Sequence, residues 1–483
     1  MVMEMPVKEA MIKVLEKQQH AYRAGEAPDL AVRKDRLRRA IGMLTSFQDQ
    51  IVDAVRSDFG TRPVLLSKAA DILSGVGALA GALEQIDQWV LPEERALQPG
   101  TAGPGARAEI HYQPLGSVGV ISPWNAPFML SLSPLAGIFS AGNSAMIKPS
   151  EFAPASAELL SVMVKQFFDE TELAVFPGGA EVSEAFSRLP FDHLMFTGSV
   201  RTAKLVMKAA AENLVPVTLE LGGKSPVIVG SGADIDLAAL RIVHGKLLNS
   251  GQICISPDYV YVAEGQVQAF IAACVRAAAQ LYPSMANNGD YTSIINDQHY
   301  ARILELLRDA RDRGADLVEA NPAGETFDDP SLRKLPLSLV ANVTDDMLVM
   351  QEEIFGPVLP IKPYKELGEA IRYVNDQPHP LAVYYFGHDE AEICRVIEQT
   401  RSGNIAINDV LAQGMRDEIP YGGVGSSGMG AYKGIDGFRN FSHAKPVFYQ
   451  TELEAALQPM RPPYTPEALA FINSLLGQDG PQG

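Results

Sequence analysis

Short apolar runs alternate with longer helical stretches from about residue 108 to residue 408, and this alternation constrains the fold more than any other feature. The runs lie near 109–112, 118–121, 145–147, 173–176, 193–196, 217–219, 227–229, 259–262 and 381–386. Strands of this kind, separated by helices, pack as a parallel sheet with helices over both faces. The expected class is therefore α/β, with one such block before about residue 222 and a second after Pro226. Residues 1 to about 95 carry charged segments with apolar residues three and four apart, as in Arg33-Lys34-Asp35-Arg36-Leu37-Arg38-Arg39-Ala40-Ile41, and read as helices. Pro92 and the run 98–105 mark an exposed connection.

At 483 residues the chain has room for two to four domains. Its formal net charge of −18 repels phosphate, which argues against a nucleic acid or an anionic membrane as partner. The three cysteines, Cys254, Cys274 and Cys394, form no disulfide framework, and no Cys/His spacing points to a metal. That usage fits a reducing, cytoplasmic setting. Residues 1–14 lack the continuous apolar core of a secretory signal. No uninterrupted apolar run reaches about 18 residues, and 468–476 is too short to span a bilayer, so no membrane anchor is expected.

Two residues carry recognisable chemistry. Cys254 ends the string Asn249-Ser250-Gly251-Gln252-Ile253-Cys254, and Glu220 lies upstream in Leu219-Glu220-Leu221-Gly222-Gly223-Lys224. A thiolate can attack a carbonyl carbon and hold the product as a thioester, which a carboxylate-activated water then cleaves. A lone cysteine is otherwise a small buried hydrophobe, the reading adopted for Cys274 and Cys394. Further strings are Ile121-Ser122-Pro123-Trp124-Asn125, Lys148-Pro149-Ser150-Glu151, Phe196-Thr197-Gly198-Ser199, Glu352-Glu353-Ile354-Phe355-Gly356-Pro357 and Pro420-Tyr421-Gly422-Gly423-Val424-Gly425.

In this order, over about residues 30–450, the strings resemble the signature of the NAD(P)-dependent aldehyde dehydrogenases. The 251–260 and 429–432 segments and the compact N-terminus are most similar to the class 3 branch, and within it to bacterial coniferyl aldehyde dehydrogenases. The resemblance implies two parallel-sheet domains with a small β oligomerisation element. Residues 1–97 and 116–222 would form the cofactor-binding domain and 223–420 the catalytic domain. Residues 98–115 and 421–450 would form the oligomerisation element, and 451–483 a C-terminal tail. It also implies that Cys254 is the nucleophile, Glu220 the general base for the hydrolytic water, and Asn125, with the Cys254 backbone N–H, the oxyanion donor. The cofactor is expected to be NAD, with NADP possible, held by Ile121, Trp124, Lys148, Ser150, Glu151, Gly178, Phe196, Gly198, Ser199, Leu221, Glu353 and Phe355. The substrate class implied is a small aldehyde, aromatic such as coniferyl aldehyde or medium-chain aliphatic, and the assembly a homodimer.

Local sequence leaves alternatives at several of these positions. Ser199 reads equally as the N-cap of a helix, and Lys-Pro-Ser-Glu at 148–151 as a helix start capped by Ser150. Glu353 and Phe355 alone would be a loop with a buried aromatic. Gly423-Val424-Gly425-Ser426-Ser427-Gly428 matches the dinucleotide glycine pattern but has no strand–helix–strand unit after it, and the similar glycines at 75–81 sit in a helical pattern. Two rival functions remain: a cofactor-free cysteine hydrolase, which would want a histidine partner for Cys254, and a non-catalytic member of the same fold.

Overall fold

The computed structural model describes residues 4–25, 27–98, 102–458 and 461–477. Strands in chain order are β1 (Glu93–Arg95), β2 (Arg107–Pro114), β3 (Ser117–Ile121), β4 (Ser144–Lys148), β5 (Leu173–Val175), β6 (His193–Gly198), β7 (Val217–Leu221) and β8 (Pro226–Val229). They continue with β9 (Tyr259–Ala263), β10 (Asp316–Ala320), β11 (Leu337–Ala341), β12 (Val358–Tyr364), β13 (Ala382–Phe386), β14 (Asn404–Ile407), β15 (Gly428–Met429) and β16 (Ser442–Tyr449). Three sheets result. A six-stranded sheet has the order β15-β7-β6-β3-β4-β5, a seven-stranded sheet β10-β11-β12-β9-β8-β13-β14, and a small sheet β1-β2-β16.

Both large sheets are parallel except for one antiparallel edge strand each, β15 on β7 and β10 on β11. Every residue of β3, β4, β8, β11 and β13 is buried, which is why these strands read as continuous apolar runs. The mixed α/β class expected from the alternation is the class observed. Chain order reverses in space at β3, with β4 on one side and β6 on the other. In an open α/β sheet a crevice forms at the carboxyl ends of the strands at such a point.

Two segments pair differently from their expected grouping. Glu93–Arg95 joins the small sheet by pairing with β2, and Gly428–Met429 leaves it to edge the six-stranded sheet beside Glu220. Both are short strands, too brief to carry a periodic signal. Residues 99–101 of the expected exposed connection lie outside the described residues. Cys274 is buried as expected, but Cys394 is exposed on the helix Glu390–Gln399, whose inward side is filled by Val396.

The helical stretch Val64–Trp89 has the length and hydropathy of a spanning helix by composition alone. In this fold its Ile72, Leu79, Ala82, Ile86 and Trp89 pack into the main core. A π-helical step at Lys68–Leu73 places Asp71 in the interior, where its carboxylate meets the Arg62 guanidinium at 2.9 Å. Both side chains are essentially inaccessible. Asp71 also accepts from the Phe128 N–H, and Arg62 donates to the Asn125 carbonyl at 2.9 Å. A buried charge is tolerated only with such partners.

Removing one partner leaves the other uncompensated, so Asp71→Ala is expected to lower the unfolding free energy by about 3–5 kcal/mol. Urea denaturation measures this. A loss below about 1 kcal/mol would show that the pair does not hold this region.

Candidate active site

The carboxyl ends of β3, β4, β6 and β7 converge on one crevice, and most of the singled-out residues lie there. Ile121 ends β3, Lys148 ends β4, Gly198 ends β6 and Leu221 ends β7. Ile121, Phe196 and Leu221 are buried together in one core cluster, so their side chains hold the crevice floor and only their backbone can face a ligand. The Phe196 ring lies over Gly198, where a Cβ would approach it to 2.6 Å. Gly178, after β5, has φ +154° and leaves no room for a Cβ beside Val182.

Ser199 caps the helix Val200–Ala211, its hydroxyl accepting from the Thr202 N–H at 3.3 Å. The capping alternative therefore holds. It leaves the helix N-terminus, with its unpaired N–H groups and positive dipole end, open at the crevice. The alternative for 148–151 does not hold. The next helix starts only at Pro154, and its first N–H groups, at Ala155 and Ser156, are bonded by Asp58 instead of Ser150. Lys148 is buried, with Nζ bonded to the Pro149 carbonyl at 2.6 Å and 3.5 Å from the half-exposed Glu151 carboxylate. Burial holds the Lys148 ammonium below its ordinary value, with Glu151 opposing that shift.

Cys254 belongs to a loop of unusual backbone. Asn249, Ser250 and Gly251 have φ of +52°, +52° and +76°. Side chains tie this turn down. Asn249 Nδ2 donates to the carbonyls of Asn125 and Gln252, both at 3.2 Å, and the Ser250 hydroxyl donates to the Thr292 carbonyl. Gln252 Nε2 donates to Asn249 and Ser293 carbonyls, and its Oε1 accepts from the Ile295 N–H at 3.0 Å. Gly251 lets the turn pass within touching distance of the 352–357 loop, since a Cβ there would meet the Gly356 carbonyl oxygen at 2.5 Å.

Asn125 is brought to the same loop, its Nδ2 donating to the Gln252 carbonyl at 3.1 Å. Trp124 is buried among the rings of Phe59, His299 and Phe355, with the Phe355 centroid 5.4 Å away. Phe355 is itself held at φ +49°. The Glu353 carboxylate lies against Gly222 and accepts from the Gly223 N–H, and burial, with Asp258 adding to it, pushes the group up to about 8.

The electrostatics of the thiol follow from this enclosure. Cys254 keeps partial access to solvent, yet burial pushes its thiol up to about 12. A hydrogen bond between the Tyr421 hydroxyl and Sγ, 3.8 Å apart, and the Cys254 N–H act the other way, while Glu353 and Glu220 raise it further. Glu220 is buried with both oxygens unpartnered, and burial lifts it well above the carboxylate range against the pull of Lys433. Burial thus favours the protonated form of both the thiol and the Glu220 carboxyl. Sequence reasoning did not single out Arg62, Asp71, Asn249, Tyr421 or Lys433 as functional. Each acts through a partner 9 to 213 positions away, which a linear motif does not display.

Comparison with known proteins identifies the family. Residues 4–447 match the aldehyde dehydrogenase family. The chain is 49% identical to a probable coniferyl aldehyde dehydrogenase of Caulobacter vibrioides over 95% of each chain. It is 47% identical to the coniferyl aldehyde dehydrogenase of Pseudomonas sp. strain HR199, covering 98% of this chain and 97% of the relative. Among solved structures, an indole-3-acetaldehyde dehydrogenase of P. syringae in complex with NAD+ and IAA superposes with a TM-score of 0.82. That structure is 26% identical and covers 92% of this chain and 89% of its own.

Gly251→Ala tests the turn. Left-handed backbone at a non-glycine residue costs about 1–2 kcal/mol, and the approach to Gly356 adds to it. The variant is expected to be less stable by at least that amount in urea and to alkylate more slowly at Cys254. Parental stability and reactivity together would show that the turn does not control the thiol.

Proposed function

The chain belongs to the aldehyde dehydrogenase family, and on that premise we propose that it converts an aldehyde to the carboxylic acid through a thioester on Cys254. The observation that carries the reading is convergence. A partly accessible thiol, a carboxamide bonded to the thiol's own loop and a buried carboxyl face one another across the ends of two parallel sheets.

The cofactor assigned is NAD. The residues present suit it: an open helix N-terminus after β6 for a pyrophosphate, and a lysine–carboxylate pair after β4 for ribose hydroxyls. Gly222 leaves room for the Glu353 carboxylate, which a Cβ there would displace. When bound, NAD supplies the acceptor for the hydride that leaves the substrate carbon and a positive ring that favours a nearby thiolate.

The remaining chemistry belongs to the protein. Once its proton has passed to solvent, the Cys254 thiolate forms a bond from Sγ to the aldehyde carbon, and the carbonyl electron pair moves to oxygen. Asn125 and the Cys254 N–H donate to that oxyanion, a contribution of about 2.7–4 kcal/mol for a single donor. After the carbon is oxidised, Glu220 removes a proton from water, whose oxygen attacks the thioester carbon. The C–S bond breaks and the acid leaves. Glu220 must be ionised for this step, and its raised pKa makes it a stronger base once ionised.

Coniferyl aldehyde or a related aromatic aldehyde is the substrate favoured here, because the relatives quoted above at 47–49% identity carry that name. Medium- and long-chain aliphatic aldehydes are the second class. The domain boundaries set out from the sequence are retained as part of the proposal, with the two exchanged short strands noted. Assembly as a homodimer is included: among the described residues β16 leaves an eight-residue edge of the small sheet unpaired and mostly exposed, a surface that invites strand pairing.

Glu220→Gln is expected to acylate Cys254 normally and to deacylate more slowly by about a hundredfold or more, so that intact-mass spectra show the acyl-enzyme accumulating. In the parent enzyme, the ionised base grows as pH rises through the raised Glu220 pKa. The deacylation rate should therefore climb well above the ordinary glutamate range of about 4.3. A rate already level by pH 5, or unaltered turnover in the variant, removes Glu220 from this role.

Assays of coniferyl and medium-chain aldehydes with each cofactor test specificity. The Glu151 carboxylate repels a 2′-phosphate, so kcat/KM is expected to favour NAD, and coniferyl aldehyde over the aliphatic substrate. The reverse order would overturn the respective assignment.

A further inference from the structure

The segment after residue 411 contributes an aromatic and cationic wall that the mechanism above does not use. Tyr421 is buried, and a phenylalanine would fill its space equally well. A buried phenolic hydroxyl is costly unless bonded. Among the described residues, this hydroxyl makes its one side-chain hydrogen bond to Cys254 Sγ, at 3.8 Å, a separation suited to the larger radius of sulfur. The ring is fixed on several sides. Its edge packs by Gly414, the Tyr432 ring stands perpendicular to it at 6.0 Å, and Lys433 Nζ sits 5.2 Å from its centroid. Lys433 is anchored in turn by the Gly414 carbonyl and by Asp417 at 3.4 Å.

We propose that Tyr421 is a catalytic residue whose hydroxyl donates a hydrogen bond to the Cys254 thiolate, from a ring held beneath the Lys433 ammonium. The proposal rests on Cys254 being the nucleophile. While the sulfur is protonated, either atom can donate. Once it is a thiolate, only the phenol can, and a hydrogen bond to a charged acceptor is the stronger kind. The phenol is suited to remain the donor, because burial keeps it protonated well above the usual tyrosine range. The other ionisable groups around the sulfur are Glu220, Glu353, Tyr384 and Tyr432, and none of them donates to it. The two carboxyls, when charged, oppose the thiolate. A cation over the ring face also draws electron density from the phenol and strengthens it as a donor. Tyr421 thereby supplies stabilisation that burial of the sulfur takes away.

The test compares Tyr421→Phe with the parent, both carrying Cys394→Ala so that the exposed thiol does not react. Alkylation of Cys254 by iodoacetamide is followed from pH 6.5 to 9.5 by peptide mass spectrometry. NAD affinity is measured alongside, by fluorescence titration, as a check that the crevice is intact. Loss of the donor is expected to slow alkylation about three- to tenfold across this range. The upper bound corresponds to about one unit in the thiol pKa, and the lower one allows for the greater nucleophilicity of a more basic thiolate. NAD affinity should stay within twofold, and kcat should fall without a rise in KM for NAD.

Alkylation within twofold of the parent, with NAD affinity preserved, overturns the role of Tyr421 and leaves the nucleophile in place. If Cys254 fails to react in the parent while aldehyde oxidation proceeds, the nucleophile assignment falls first and the tyrosine with it. Should the variant lose NAD affinity together with reactivity, the hydroxyl has a structural part in the crevice, and the proposal fails.

Discussion

The hydrogen-bonded turn at Asn249–Gly251 is the feature on which the rest of the site depends. Two non-glycine residues there hold left-handed backbone, at a cost of about 1–2 kcal/mol each. Six side-chain bonds from Asn249, Ser250 and Gln252 oppose it. At roughly 1 kcal/mol net per bond the turn is over-determined. Its partners are spread through the chain: Asn125 after β3, Thr292 to Ile295 between helices, and Gly356 before β12. The thiol is positioned by locking three distant segments to one turn. The Arg62–Asp71 pair reaches the same point from outside, since Arg62 and Asn249 both donate to the Asn125 carbonyl.

Around this turn, several buried polar atoms lack a hydrogen-bond partner. Both Glu220 oxygens, Lys246 Nζ and Asn249 Oδ1 are buried without a hydrogen-bond partner. Native interiors leave few such groups, and those they leave cluster where chemistry happens. Burial raises Glu220 and Cys254 and depresses Lys246 to about 8, so desolvation disfavours the charged form of all three. The oxyanion of the reaction brings charge into this interior. The charge that then develops meets donors already in place instead of mobile water.

The architecture explains how two sheets share one reaction. β7 runs out of the six-stranded sheet at Glu220-Leu221, and β8 begins the seven-stranded sheet five residues later, at Pro226. Gly222 and Gly223 make the passage, and the Glu353 carboxylate from the second sheet's side lies directly on it. The dinucleotide crevice and the thiol loop are therefore neighbours by connectivity, with the C-terminal segment closing over them through β15 beside Glu220.

Much was legible in the chain itself. Fully buried parallel strands must be apolar along their length, so the α/β class and the strands of the six-stranded sheet other than its short edge follow from local composition, whereas Asp316–Ala320, Leu337–Ala341, Val358–Tyr364 and Asn404–Ile407 of the seven-stranded sheet were not located. The crevice residues were also accessible, because strand ends, glycines and helix starts have local signatures. Short strands were not: Glu93–Arg95 and Gly428–Met429 pair for reasons of neighbourhood alone. The alternative reading of Ser150 as a cap failed because Asp58, from a different helix, does that work. Cys394 misled because burial of a small thiol depends on which helix face meets the core. Residue types and their order thus determined which groups could carry chemistry. Tertiary structure alone decided their protonation, their donors and the involvement of Tyr421, Arg62 and Asp71, because desolvation and hydrogen bonding depend on what lies nearby in space and not along the chain.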